Sequence, residues 1–172
     1  MQLKGPKENF TLVIEKEISF SGKGLIELME ATFAKGACFR LGVRGFSMSP
    51  FIRDSDVLTL SALRNSSIAF GKTVVFIASK TNKLVIHRIV GRNNGFYLIK
   101  GDNVFNAGGL VPKENILGCV TKIERNGRDI FFGLGRERLI IALFSRIRAG
   151  YLILWFWRLF PLSIRNAIKS II

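Results

Sequence analysis

Hydrophobic and polar positions along this chain change their period twice, and the changes divide it into three parts. Residues 1–38 begin polar and carry one strand-like run, Phe10-Thr11-Leu12-Val13-Ile14, followed by Glu15-Lys16-Glu17. From Gly24 to Lys35 the residues Leu25, Ile26, Leu28, Met29, Thr32 and Phe33 recur at three- and four-residue spacing, with Glu27, Glu30 and Lys35 on the other side. That spacing predicts a short amphipathic helix, ended by Gly36, that covers one face of a sheet.

From Cys38 the period shortens to two. Phe39 to Arg44 alternates, and short apolar runs follow at 57–60, 72–77 and 84–90. Asn93-Asn94-Gly95 separates the last of these from Phe96-Tyr97-Leu98-Ile99, and Arg125-Asn126-Gly127-Arg128 separates Ile116–Glu124 from Asp129–Phe132. Asn-Gly between apolar runs marks a two-residue hairpin, because both positions must take positive φ. Residues 39–135 therefore read as a mainly β domain of antiparallel strands.

After Gly135 the pattern changes again. Leu139–Phe144 and Tyr151–Phe160 are strongly apolar, the second with Trp155 and Trp157, and basic residues punctuate 136–172 while no acidic residue follows Glu137. No run reaches the ~18–20 apolar residues of a spanning helix. After Pro161, Ile164, Ala167, Ile168 and Ile171 share a helical face opposite Arg165, Asn166 and Lys169. Residues 136–172 are thus expected to form amphipathic apolar helices lying in a membrane interface, peripheral on the cytoplasmic side. Their other outlet is burial against the β domain or in a dimer.

Charge strengthens this expectation. With 26 Lys and Arg against 12 Asp and Glu in 172 residues, the formal net charge is +14. That favours an anionic partner, and the apolar tail turns the choice toward an acidic lipid surface rather than nucleic acid. The polar start, Met1 to Phe10, has no hydrophobic stretch of the kind a secretory leader or N-terminal anchor requires. Two cysteines, Cys38 and Cys119, stand far apart without clustered ligands, so they read as free thiols, and neither a metal nor a cofactor is expected.

Candidate chemistry rests on Gly45-Phe46-Ser47-Met48-Ser49-Pro50 and on His87, the one histidine in the chain. A serine hydroxyl is a weak nucleophile unless a neighbouring base takes its proton, and imidazole does so near neutrality. Ser47 would attack a carbonyl, and His87 would accept the proton and return it to the leaving amine. Met48 and Pro50 are assigned to packing and the turn, Gly45 to backbone angles that bring the turn close to a substrate, and Asp56 to closing that turn.

Gly-x-Ser-Met-x-Pro resembles the nucleophile motif of the signal peptidase and LexA-type serine peptidases. Asp56-Val57, Gly71-Lys72-Thr73-Val74-Val75, Ile86-His87-Arg88-Ile89-Val90, Lys100-Gly101-Asp102-Asn103 and Ile116-Leu117-Gly118 follow in that family's order, so the likeness covers about residues 39–120. It implies a partly closed antiparallel β-barrel or β-ribbon peptidase domain, with His87 standing where the family has its lysine or histidine base. It also implies an endopeptidase that binds an extended peptide as an added strand and selects small residues at the cut. The usual N-terminal transmembrane anchor is not found, which points to a dedicated leader or precursor peptide as substrate.

Asp102 is the first candidate to orient His87, although the histidine branch usually places that aspartate several residues further on, where this chain has Asn103 to Gly109. Asn106 is a second candidate, and a Ser–His dyad without an orienter a third. Gly45 stands where some relatives carry a hydroxyl, which leaves the Ser47 N–H as the oxyanion donor. Lys100 reads as a solvated lysine at a strand end. Two other functions fit the same motifs: a catalytically silent binding module, and a self-cleaving regulator of the LexA type.

Overall fold

The computed structural model describes residues 11–12, 22–63, 68–104 and 108–146. Residues 147–172, and with them most of the expected membrane tail, lie outside the described residues, as does Asn106. Among the described residues, a nine-stranded sheet curls into an antiparallel half-barrel flanked by two short helices.

The first helix, α1 (Gly22–Ala34), buries Ile26, Met29 and Thr32. It stops where the sequence places its stop. Gly36 takes φ +72°, and the bonds Gly36 N–H to Phe33 O (2.9 Å) and Ala37 N–H to Thr32 O (3.2 Å) close the last turn. This is a Schellman ending, which needs a residue without a β-carbon penalty at that position.

The strands are β1 (Thr11–Leu12), β2 (Cys38–Gly42), β3 (Val57–Ala62), β4 (Thr73–Ala78), β5 (Lys83–Asn93), β6 (Phe96–Lys100), β7 (Gly109–Val111), β8 (Ile116–Arg125) and β9 (Arg128–Ile130). Their order is β1-β2-β3-β8-β4-β5-β6-β7, with β9 beside β8; only the β1–β2 pair is parallel. Both Asn-Gly hairpins form as the sequence predicts, with φ of 45° and 83° at Asn94-Gly95 and 50° and 74° at Asn126-Gly127. Two positive φ values match the right-handed twist of the strands they join. Strand β9 ends sooner than its apolar run, because Phe131 is 77% exposed. Strand β7 has no counterpart in the sequence reading.

Period two sorts the core. Val74 and Val75 are adjacent on β4, both fully buried, and belong to different hydrophobic clusters. One cluster gathers Met29, Phe39, Met48, Leu58 and Leu60 under α1; the other gathers Val74, Phe76, Ile89, Tyr97 and Ile99. Each fully buried aliphatic side chain contributes roughly 1.5–3 kcal/mol. A register shift between Ile89 and Gly91 bends β5, so its first half pairs with β4 and its second with β6. The second helix, α2 (Arg138–Arg146), packs on β5 through Ile141, Ala142 and Ser145. Its other face leaves Leu139, Ile140, Leu143 and Phe144 exposed.

Candidate active site

The Ser47 segment is a tight loop between β2 and β3, and its residues hold one another. Gly45 takes φ +108°, a conformation strained for any other residue, and its N–H donates to Asp54 Oδ1 at 2.8 Å. Ser49 N–H donates to Phe46 O at 3.2 Å and Ile52 N–H to Met48 O at 3.1 Å. Met48 and Ile52 anchor the loop in the core. Asp56 closes it: buried, it accepts from Arg53 N–H at 2.7 Å and from Arg125 Nε and Nη2 at 2.8 Å each. Ser47 is left half-buried at the loop's outer face.

His87 lies on β5 opposite Val74 of β4, its ring 6.1 Å from that of Phe76. The structure brings Ser47 and His87 to one place through Gly101. A β-carbon built on Gly101 would lie 2.7 Å from Ser47 O and 3.0 Å from His87 Nε2. The Ser47 loop and the imidazole thus face each other across the width of one methyl group. Among the described residues no hydrogen bond joins Ser47 to His87; catalytic bonds commonly tighten only once substrate is bound. Burial holds the His87 pKa below the ordinary 6.5, and the charge of Asp102 partly offsets that. An imidazole kept neutral by burial adds stability that is complete above pH 6.5 and is lost as pH falls through the lower folded value.

The expectation that Asp102 hydrogen-bonds the imidazole is not met. Both of its oxygens face Arg88: Nε donates to Oδ1 at 2.9 Å and Nη2 to Oδ2 at 2.8 Å. Arg88 and His87 are neighbours on a strand, so their side chains leave on opposite faces. A carboxylate committed to the Arg88 face acts on the imidazole by its charge alone. Arg88 Nη1 also donates to Gly71 O at 2.8 Å and to Gly133 O at 2.9 Å, and the pair is shut away, with side-chain exposures of 1% and 0%. Such a bidentate pair fixes geometry as much as it lowers energy.

Lys100 also departs from expectation. It is buried rather than solvated, and Nζ donates to Ser145 O at 2.7 Å in the last turn of α2. Past it, the Gly101-Asp102-Asn103 turn grips the Ser47 loop: Asn103 N–H donates to Ser47 O at 2.8 Å and its Nδ2 to Phe46 O at 3.2 Å. Sequence reasoning missed Asn103, although it stands inside the Lys-Gly-Asp-Asn motif. Because backbone cannot yield as a side-chain end does, Gly101→Ala is expected to destabilise the fold by about 1–3 kcal/mol and to slow any Ser47 reaction. Urea unfolding and activity measured together check this.

A cleft of about 320 Å³ is lined by residues 41–45 and 84–86 together with Leu25, Ser47, Met48 and Ile52. The lining takes in the end of β2 (Leu41 and Gly42) with the loop that follows it, and the first part of β5. β1 pairs with β2 only at Cys38 and Phe39, and β6 pairs with β5 only from Arg88 onward. Among the described residues, Arg40–Gly42 and Lys83–His87 therefore have no strand on their cleft side. A groove of this kind can receive an extended peptide between two sets of unpaired backbone groups.

A protein-family model described as Peptidase S24-like matches residues 10–118, which takes in the Ser47 loop, His87 and the Gly-Asp-Asn turn. No curated protein matches the chain.

Proposed function

The chain belongs to the Peptidase S24-like family, and on that premise we propose that it is a serine endopeptidase with Ser47 as nucleophile and His87 as general base. The observation that carries this reading is the cleft: Ser47 lines it together with residues of β2 and β5, and His87 Nε2 lies across Gly101 from the Ser47 backbone. A peptide lying between Arg40–Gly42 and Lys83–His87 would present one of its carbonyls to the hydroxyl. Ser47 Oγ attacks the carbonyl carbon as its proton passes to His87 Nε2, and the oxyanion forms against the Ser47 N–H. Collapse releases the amine, which takes the proton back from the imidazolium. Water then repeats the sequence on the acyl-serine. The apolar floor, with Leu25, Leu41, Ile52 and Leu84, suits small apolar side chains beside the cut.

The substrate would be a leader or precursor peptide, and the site would work at a membrane surface. Supporting this are the exposed Leu139, Ile140, Leu143 and Phe144 on α2 and the exposed Phe131 before it. No helix among the described residues is long and apolar enough to cross a membrane. The arrangement is peripheral, with basic side chains toward anionic lipid headgroups.

A mixed decapeptide library incubated with the detergent-solubilised protein tests the peptidase reading. New amino termini, read by mass spectrometry, are expected with wild type and absent with Ser47→Ala; equal cleavage by both would refute it. Since burial lowers the His87 pKa, the acid limb of kcat/KM is expected to have its midpoint below pH 6.5. A midpoint clearly above that value would mean that a different group is the base.

A further inference from the structure

Lys100, Asp102 and Ser145 join α2 to the turn that holds both reacting residues. Ser145 is buried, and it meets the centre twice: its carbonyl accepts from Lys100 Nζ at 2.7 Å, and its hydroxyl lies 3.4 Å from Asp102 Oδ1. Lys100 stands directly across from Arg88 in the β5–β6 pairing, so both long cations lie on one face. Arg88 is satisfied by Asp102 and by the Gly71 and Gly133 carbonyls. Lys100 instead reaches the backbone of α2, where the Ser145 carbonyl accepts from its Nζ.

Everything downstream of that contact bears on the reaction. Lys100 is followed directly by Gly101, where a β-carbon would meet Ser47 O and His87 Nε2, and then by Asn103, whose N–H donates to Ser47 O. We propose that Lys100 and Ser145 are positioning residues: they tie the last turn of α2 to the Gly101–Asn103 turn, and this tie sets the spacing of Ser47 from His87. Helix α2 is then a working part of the peptidase centre rather than the start of a dispensable tail. The inference rests on the proposed Ser47–His87 reaction for its effect on rate, but not for its effect on structure.

Two variants of the full chain test it, Lys100→Met and Ser145→Ala. Met keeps the length of the lysine stem and removes the ammonium; Ala removes only the hydroxyl that faces Asp102. In Lys100→Met the amide of Asn103 is expected to exchange with solvent about tenfold faster, with β3 and β8 amides unchanged. Cleavage of a library peptide should lose about 10- to 100-fold in kcat with little change in KM, as a small misplacement of reacting groups does. Ser145→Ala, which keeps the carbonyl that Lys100 holds, should move both quantities the same way by a smaller factor, and Lys100→Gln takes the place of Lys100→Met should that variant fail to fold. A lysine that merely braced the fold would lower the melting temperature while leaving the Asn103 amide and kcat at wild-type values in the folded protein. That result overturns the proposal. Faster Asn103 exchange in a protein that cleaves nothing, wild type included, supports the tie and counts against the peptidase reading instead.

Discussion

His87→Gln will lower Ser47-dependent peptide cleavage by about 10⁴-fold or more, with the fold intact. The size follows from what the imidazole is asked to do. In the proposed reaction the Ser47 proton would then have no acceptor as the hydroxyl attacks and the departing amine no donor, so both halves would stall. His87 is the one histidine in the chain, and no second imidazole can stand in. The amine of Lys100, which precedes the Gly101 turn, is held by the Ser145 carbonyl at 2.7 Å. Glutamine retains the bulk and hydrogen-bonding character of a half-buried imidazole, so unfolding does not explain the loss. The double variant Ser47→Ala/His87→Gln is expected to be no slower than either single one, because the two act as a unit. Steady-state rates on one library peptide check both statements. Independent, multiplying losses would show that the residues do not work on the same step.

How much of this centre the sequence discloses depends on how local each relation is. That the Ser47 segment and His87 come together is legible because short motifs carry them and their order along the chain is informative. Both hairpins are legible because Asn-Gly is a requirement of the turn itself. The partner of Asp102 is not, since Arg88 lies 14 residues away and meets it only through the β5–β6 register. A carboxylate near a histidine in sequence space invites a triad; a strand's alternation puts the two on different faces. Lys100 reads as solvated because lysines at strand ends usually are. Its burial comes from Ser145, 45 residues later, on a helix whose docking no local pattern announces. Strand β7, Gly109–Val111, is three residues long and opens with glycine. It exists because the β6 edge accepts it, and so short a run has no period to read.

Arg88→Met is the substitution expected to cost the most stability, about 3–5 kcal/mol. The side chain is 1% exposed and its partner Asp102 is 0% exposed. Methionine fills much of the volume but withdraws the donors that satisfy Asp102, Gly71 O and Gly133 O together. A buried carboxylate is left without its counter-charge, along with two carbonyls lacking donors. Taking both charges away is milder. In Arg88→Met/Asp102→Asn the amide stays neutral, so the double variant is expected to recover part of the loss. The comparison separates the worth of the pair from the penalty of a stranded charge. Urea denaturation gives the midpoints. A single variant within about 1 kcal/mol of wild type would mean that this pair is not shut off from water as the structure has it.

The single histidine also supplies the most direct test of the central claim, because its imidazole signal can be followed by NMR without competing resonances. Titrating that signal and measuring kcat/KM for a library peptide over the same pH range puts base and rate on one axis. If His87 takes the proton from Ser47, the two midpoints coincide and both lie below the ordinary 6.5. A rate that rises with a midpoint well away from the imidazole's, or the same acid limb in His87→Gln, would contradict it.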